Sequence, residues 1–218
     1  MQEIITKSLR DTLSKDVLFF VLKIAFGALA ITLIVSWFLW DSLSAFIASY
    51  LSWIPWAWLQ TSGSTLAALA LGYMFFIISI TLLTSLYSES LLVQLAQKHY
   101  PKVPRIGEAG ITTSFFITLK SSMIFLILFM IFIWALFIPV LGQIAMLYLW
   151  SVLIKETTVY DVGSLFIRDK NLLKEKNKKA RMIAMIASLF NYIPLLNIFS
   201  PIFAQILFLH HLLYDKQR

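Results

Sequence analysis

The chain has 218 residues, of which 60% are hydrophobic and 13% are charged, and its mean hydropathy is +0.83. This composition excludes an ordinary soluble domain and indicates an integral membrane protein whose first partner is the lipid bilayer. The formal net charge of +7 would suit nucleic acid. However, the basic residues flank apolar segments, where they set membrane orientation, so we expect no nucleic-acid partner.

Cofactor, metal and enzyme chemistry receive little support from the residue types present. The chain contains no cysteine, which excludes disulfides, thiolate metal sites and cysteine nucleophiles. The three histidines, His99, His210 and His211, lack the spacing of a ligand set, and we expect the last two at the level of the headgroups. No nucleophile with a base at usable spacing and no glycine-rich phosphate loop occurs. We therefore expect no metal, no cofactor and no enzymatic activity.

The chain begins with a predicted interfacial helix and a first membrane span. Within residues 2–15, one helical stripe is apolar, namely Ile5, Leu9 and Leu13. Such a stripe fits a helix lying in the membrane interface, and a frayed polar leader fits equally well. Residues 17–40 form an apolar run long enough to span, interrupted only by Lys23, whose ammonium can snorkel to the headgroups.

A loop and a second span are predicted next. Residues 41–63 contain no Lys or Arg, and Trp53, Trp56 and Trp58 surround Pro55, which is typical of an aromatic belt on the outer face. Residues 64–86 form the second span. Because apolar residues continue at helical spacing, we expect one long helix that reaches Lys98 and His99 beyond the bilayer.

Two similar stretches in the second half predict helical hairpins that enter the membrane and return to the same side. Each contains a helix-breaking proline, Pro139 in the first and Pro194 in the second, and Gly142 completes the first tip. Residues 143–154 would reach only about 18 Å as a helix, whereas the hydrocarbon is about 30 Å thick. Non-helical backbone at membrane depth needs protein or a water-filled cavity around it, so the breaks predict a buried interface or a pathway.

The arms of these hairpins set the predicted orientation. The first hairpin enters through an interfacial segment, 111–120, and an apolar arm, 121–138, and the second uses arms 182–193 and 198–213. Residues 155–181 hold eight basic and four acidic residues, which indicates a cytosolic loop. Both termini are then cytoplasmic. The two proline breaks lie 55 residues apart, a weak internal repeat of the kind that builds sites in transporters.

A permeation path requires polar groups at membrane depth. The candidates are Gln143, Asn191, Asn197 and Gln205, together with Lys15 and Lys23 near the first span. In the alternative interpretation, Gly142 and Asn197 terminate helices in the left-handed conformation, Gln143 caps carbonyl groups, and both lysines snorkel. Helix N-termini just after the two prolines would direct positive dipole ends inward, which favours an anion.

The two hairpins resemble those of a known family. Residues 188–199, SLFNYIPLLNIF, resemble the C-terminal hairpin of the CysZ sulfate permeases, which share a fold with the etoposide-induced membrane proteins. Residues 137–143, FIPVLGQ, and 91–95, LLVQL, are similar to two further segments of that family. The resemblance covers most of residues 70–218. It implies two long transmembrane helices flanked by half-penetrating pairs, and sulfate entry for cysteine synthesis.

One position departs from the family pattern. Sulfate-transporting relatives carry a Gly-x-Arg-Arg-like motif near the start of the first membrane helix, and paired guanidinium groups suit a tetrahedral dianion. This chain has Leu18 and Phe19 there. The anion site is therefore not carried over, although Lys15 and Lys23 lie one or two turns away.

The sequence thus predicts a single all-α, multi-pass membrane domain over residues 1–218. It comprises two long transmembrane helices, two re-entrant hairpins and an N-terminal interfacial helix. The leading hypothesis is a bacterial inner-membrane permease or channel for a small inorganic anion, with sulfate as the first candidate, working as a homo-oligomer. The alternative is a non-transporting membrane scaffold or assembly factor of the same fold.

Overall fold

The computed structural model describes residues 2–50, 52, 55–132, 135 and 138–214. Within these residues the regular elements are all helical, which confirms the predicted fold class. The α-helices are α1 (Gln2–Thr12), α2 (Lys15–Tyr50), α3 (Ala57–His99), α4 (Ile111–Phe132), α5 (Pro139–Phe166), α6 (Lys170–Lys179), α7 (Arg181–Ser188) and α8 (Ser200–Leu213). Two short 3-10 helices, Leu189–Tyr192 and Leu196–Phe199, lie between α7 and α8.

In the part of the chain that the structure describes, four helical stretches are long and apolar enough to cross a membrane. They are Lys15–Ser49, Phe75–His99, Ile111–Phe132 and Leu196–Leu213. The first two confirm the long helices predicted from residues 17–40 and 64–99. Large apolar side chains stay exposed along the first of them, with Trp37 at 85% and Phe38 at 78% exposure, and in a bilayer such side chains contact lipid.

The described chain forms two compact units. The second unit contains residues 19–86, that is, most of α2 and the first part of α3. In it Gly27 faces Leu83, and a Cβ at Gly27 would lie 3.4 Å from the Leu83 Cδ1 atom. The missing side chain therefore brings α2 and α3 together at this point.

The predicted outer loop, 41–63, is wrong in extent. α2 continues to Tyr50 and α3 begins at Ala57, so helix occupies most of the predicted loop. Polar residues alone do not end α2, because their hydroxyls bond back to the helix, as Ser49 Oγ does to the Phe46 carbonyl oxygen at 2.7 Å. Trp53, the expected centre of the aromatic belt, lies outside the described residues.

The first unit contains residues 1–18 and 87–218 and is organised around α8. Helix α8 is apolar all round, packs against α1, α5 and α7, and buries most of its side chains, including Phe203, Leu207 and Phe208. Such a helix requires neighbours on several sides. It forms the core that positions both hairpins.

Helix α1 confirms the predicted N-terminal helix, and its polar side has an unexpected role. Its buried residues are Ile4, Ser8, Asp11 and Thr12, whereas the predicted stripe residues Leu9 and Leu13 are exposed. Ser8 and Thr12 satisfy their hydroxyls on the carbonyl oxygens four residues earlier, at 2.8 and 2.7 Å. The polar side therefore packs on α8, and the apolar stripe is left for lipid.

The first hairpin differs from its predicted arms. Helix α4 runs unbroken through residues 111–132, so no boundary separates an interfacial segment from an apolar arm. Helix α5 has 28 residues, about 42 Å, and the prediction of a return arm limited to 143–154 is wrong. The reason is that Lys155 and Glu156 neutralise each other at 2.8 Å inside the helix. The predicted loop 155–181 likewise consists mainly of α5 and α6. Re-entry of the hairpins into the bilayer stays a prediction.

Candidate anion path at the helical hairpins

The tip of the first hairpin is built on Pro139. Ile138 precedes it with extended backbone (φ −104°, ψ 113°), and Pro139 opens α5, where its missing N–H is not required. Gly142 donates its backbone N–H to the Ile138 carbonyl oxygen at 2.7 Å, inside the first turn of α5. The alternative that Gly142 ends a helix in the left-handed conformation is therefore wrong, because it helps to begin one.

The tip of the second hairpin confirms the predicted break at Pro194. The helical path stops between the two 3-10 helices, and Leu195 adopts φ 70°. Leu195 thus takes the left-handed position that the alternative interpretation gave to Asn197. Asn197 instead donates its backbone N–H to the Ile193 carbonyl oxygen at 3.0 Å within the returning turn, and its side chain is half-buried.

A hydrogen bond joins the two hairpins. The Tyr192 hydroxyl donates to the backbone carbonyl oxygen of Gln143 at 2.8 Å. The Gln143 side chain is exposed and Asn191 is half-buried in the neighbouring 3-10 helix. The structure therefore brings Gln143 near the turn that carries Asn191.

Gln205 lies away from the tips, within the core helix α8. It is 7% exposed, and its Oε1 atom has no hydrogen-bond partner in the described part of the chain. A buried amide oxygen without a partner costs about 1–3 kcal/mol, which makes a water or ion partner at this position favourable. The sequence predicted that Gln205 lies on the return arm. Only the structure shows that its side-chain oxygen has no hydrogen-bond partner among the described residues.

The two lysine candidates are exposed and belong to different units. Lys15 opens α2 in the first unit, and Lys23 lies in the second. Phe19, one of the residues at the position of the family's basic pair, is 73% exposed. No basic side chain therefore replaces the pair at Leu18 and Phe19 themselves.

Sequence reasoning missed Arg181. This residue opens α7 and lines a wide-open surface cavity of about 560 Å³ between α5 and α7, whose other lining residues are Leu147, Met182, Met185, Ile186 and Leu189. Its Nη1 donates to Ser151 Oγ at 3.4 Å, and its guanidinium carbon lies 5.2 Å from the centre of the Tyr148 ring. A permanently charged group in an apolar cavity attracts an anion. In the sequence it is only one of eight basic residues in the supposed loop.

A family model described as sulfate transporter CysZ/etoposide-induced protein 2.4, EI24, matches residues 4–201. This chain belongs to the EI24 family. The match spans nearly the whole chain and confirms the resemblance carried by the hairpin residues. No curated protein and no solved structure matches the chain. Family membership, together with the four apolar helices, identifies a membrane protein of a transporter-like family.

The EI24-family chain has a second, more polar cavity in its first unit. This cavity of about 420 Å³ between α4, α5 and α6 is lined by Lys120, Ser121, Glu156, Tyr160, Lys174 and Asn177, among others. Burial raises the pKa of the Glu156 carboxyl, but hydrogen bonds with Lys155 and Asn177 outweigh burial and hold the pKa below its ordinary value. Glu156 is therefore ionised at neutral pH, and it accepts from Asn177 Nδ2 at 2.6 Å.

A half-buried carboxylate links helices α4 and α5 beside this cavity. Ser114 Oγ donates to Asp161 Oδ1 at 2.7 Å. Burial raises the pKa of the Asp161 carboxyl, and the hydrogen bond from Ser114 opposes that effect only in part. The contact fixes the start of α4 against the last third of α5.

Two histidines of this EI24-family chain meet a carboxylate inside the first unit. His210 is fully buried, and it lies with His99 against Asp11 of α1. A headgroup-level position of His210 and His211 stays a prediction. Burial raises the pKa of the Asp11 carboxyl, but hydrogen bonds with His210 and His99 outweigh burial, so the pKa lies below its ordinary value. These residues are 88 and 199 positions from Asp11, so no local spacing in the sequence indicates their contact.

Proposed function

We propose that this chain is a permease or channel that carries a small inorganic anion, sulfate first, across the bacterial inner membrane. The observation that carries the proposal is the Arg181 guanidinium in the otherwise apolar cavity between α5 and α7. Membership of a family described by a sulfate transporter supports the choice of anion. Sulfate entering in this way would serve cysteine synthesis.

The chemistry of the hairpins suits a hydrated anion that must lose water. Arg181 offers a fork of N–H donors that matches a tetrahedral oxyanion. Ser151 orients this fork, since its Oγ accepts from Arg181 Nη1 and donates to the Tyr148 carbonyl oxygen at 2.6 Å. Tyr148, on which Arg181 lies, is five residues, about 7.5 Å, along α5 from Gln143. The exposed Gln143 amide and the positive end of the α5 dipole then form the next contacts along the path.

Further polar groups continue the proposed path. Asn191 and Asn197 flank the second tip. The Oε1 atom of Gln205 has no hydrogen-bond partner within the described residues, and a water from the hydration shell of the ion would supply one. Amides replace part of an ion's hydration without trapping it by charge. Lys15 and Lys23 act in this proposal as cations that concentrate anions near the membrane, since both are exposed.

We place both termini and α6 on the cytoplasmic side, because α6 and its flanks hold seven of the 18 basic residues. We also propose a homo-oligomer. Large apolar side chains remain exposed on the first hairpin, such as Ile127, Met130 and Ile144, and neighbouring copies would cover them together with lipid. Catalysis has no part in this proposal.

A second candidate function is a non-transporting membrane scaffold or assembly factor. Leu18 and Phe19 favour it, because they stand where sulfate-transporting relatives carry two cations. Ion flux distinguishes the two functions, since a scaffold requires none.

The test is uptake of radiolabelled sulfate into proteoliposomes of the purified chain, with empty liposomes alongside. We expect saturable uptake, and a reduced rate in Gln143→Ala. Gln97→Ala serves as the matched control, because Gln97 is an exposed glutamine on α3 outside the hairpins. Uptake by the folded chain no faster than in empty liposomes would support the scaffold instead.

A further inference from the structure

Three side chains from distant parts of the chain converge on one point in the first unit. Asp11 of α1 places its Oδ2 atom 2.8 Å from His99 Nε2 and 2.7 Å from His210 Nε2. His99 is the last residue of α3, and His210 belongs to α8. The three potential ligand atoms all lie within 4.8 Å of one another.

We propose that Asp11, His99 and His210 form a binding site for a divalent transition-metal ion, with Zn²⁺ as the best match. Two imidazole nitrogens and one carboxylate oxygen are ligands that Zn²⁺ accepts, with bonds of about 2.0–2.2 Å. A tetrahedral arrangement of such bonds separates ligand atoms by about 3.3 Å, so the present contacts would open by about half an ångström. The fourth position would hold water.

The burial of the three residues favours an ion over solvent. Asp11 and His210 are almost fully buried, with side-chain exposures of 5% and 0%, whereas the His99 side chain is 19% exposed. An ion would therefore enter past His99. The water ligand would occupy the same side, and the other two ligands would be shielded by α1 and α8.

A hydrogen bond behind His210 orients its ring for this role. His210 Nδ1 lies 2.9 Å from the hydroxyl of Tyr100, which is itself 1% exposed. Histidines that bind metal through one ring nitrogen donate the other N–H to an outer acceptor, which fixes the tautomer and the ring plane. Tyr100 supplies this acceptor, because a hydroxyl accepts as well as it donates.

The ion would bind three helices that are far apart in the sequence. Asp11 belongs to the N-terminal helix, His99 to the end of α3 and His210 to the core helix. Because the ion would bind the folded chain and not the unfolded chain, it would raise the free energy of unfolding by mass action. This stabilisation adds to that from the packing of α1 on α8. His210 lies on the return arm of the second hairpin, but the site uses no residue of the proposed anion path, so it stands whether or not the chain carries an anion.

The test is Zn²⁺ binding to the purified full chain, stripped with a chelator and titrated by calorimetry. We expect one equivalent per chain, lost in His99→Ala and weakened about 10- to 100-fold in Tyr100→Phe. His211→Ala is the matched control, because His211 adjoins His210 and lies outside the cluster, and it should bind as the native chain does. Binding unchanged in a folded His99→Ala variant would overturn the site.

A second measurement uses only unmodified chain, in case a variant fails to fold. Co²⁺ added to the stripped protein should give the intense visible absorption of a four-coordinate ion, and Zn²⁺ should displace it. Native protein that neither binds Zn²⁺ nor produces this spectrum would refute the proposal.

Discussion

The hydroxyl of Tyr192 donates a hydrogen bond to the backbone carbonyl oxygen of Gln143 at 2.8 Å, across 49 residues of sequence. The bond joins the second hairpin to the first turn of α5. The accepting carbonyl lies four residues after Pro139, at the start of the helix that returns from the first tip. The bond therefore adds a direct link between the two tips to the packing of α7 and α8 on α5.

Removing that phenol group should loosen the hairpin tips. We expect Tyr192→Phe to lower the free energy of unfolding by about 0.5–1.5 kcal/mol, the usual net value of one hydrogen bond. Thermal unfolding in detergent measures the loss, and sulfate uptake should fall with it. Tyr87→Phe, at an exposed tyrosine of α3, is the control and should leave both unchanged. Equal behaviour of the two variants would show that the bond positions nothing.

A substitution at Gln205 should affect stability and transport in different ways. Gln205→Leu removes a buried amide whose Oε1 has no partner, so we expect the melting temperature to stay the same or rise. Uptake should fall, because the path loses a polar group. Gln97→Leu is the matched exposed control. A variant that transports normally would exclude Gln205 from the path.

The Asp161 carboxyl gives a pH dependence with a definite sign. Burial raises its pKa in the folded chain above the ordinary value of about 3.9, so the folded state binds a proton more tightly than the unfolded state. The contribution of Asp161 to stability is therefore fully present below pH 3.9 or so and decreases as pH rises through the folded pKa. Asp161→Asn should remove this dependence.

Melting temperatures of wild type and Asp161→Asn, measured from pH 4 to pH 7 or thereabouts, check this sign. As pH rises, the melting temperature of Asp161→Asn should increase relative to that of the wild type. If the melting temperature of the wild type instead increased relative to that of Asp161→Asn with rising pH, the result would contradict the account.

Orientation can be tested with single cysteines, since the chain has none of its own. We expect Ser52→Cys, between α2 and α3, to react with a membrane-impermeant maleimide added to intact cells. Asn171→Cys, in α6, should react only after the membrane is opened. Reaction of both without permeabilisation would refute cytoplasmic placement of α6.

The helix breaks could be predicted from the sequence because their cause is local. Proline lacks an N–H and clashes with the preceding turn, so Pro139 and Pro194 mark breaks in any surroundings. The length of α5 could not be predicted in the same way. Lys155 and Glu156 resemble a membrane boundary in the sequence, yet their mutual pairing lets the helix continue to Phe166.

The contacts that form the Asp11 cluster and the Arg181 site could not be predicted from sequence patterns. By its position in the sequence, Asp11 belongs to the polar side of a surface helix, and only the packing of α1 on α8 brings it to His210. Arg181 is likewise indistinguishable from its basic neighbours until α7 packs on α5 and encloses it beside Tyr148. Both depend on long-range packing rather than on spacing.

The most direct test of the central claim is the initial rate of sulfate uptake into proteoliposomes by wild type, Arg181→Ala and Arg168→Ala. Losing a charged hydrogen-bond donor to the anion should reduce uptake by about tenfold or more. Arg168 is an exposed arginine outside the cavity, and its variant should match the wild type. The predicted result is saturable uptake that falls in Arg181→Ala and not in Arg168→Ala, and equal rates in all three proteins would contradict the proposed path.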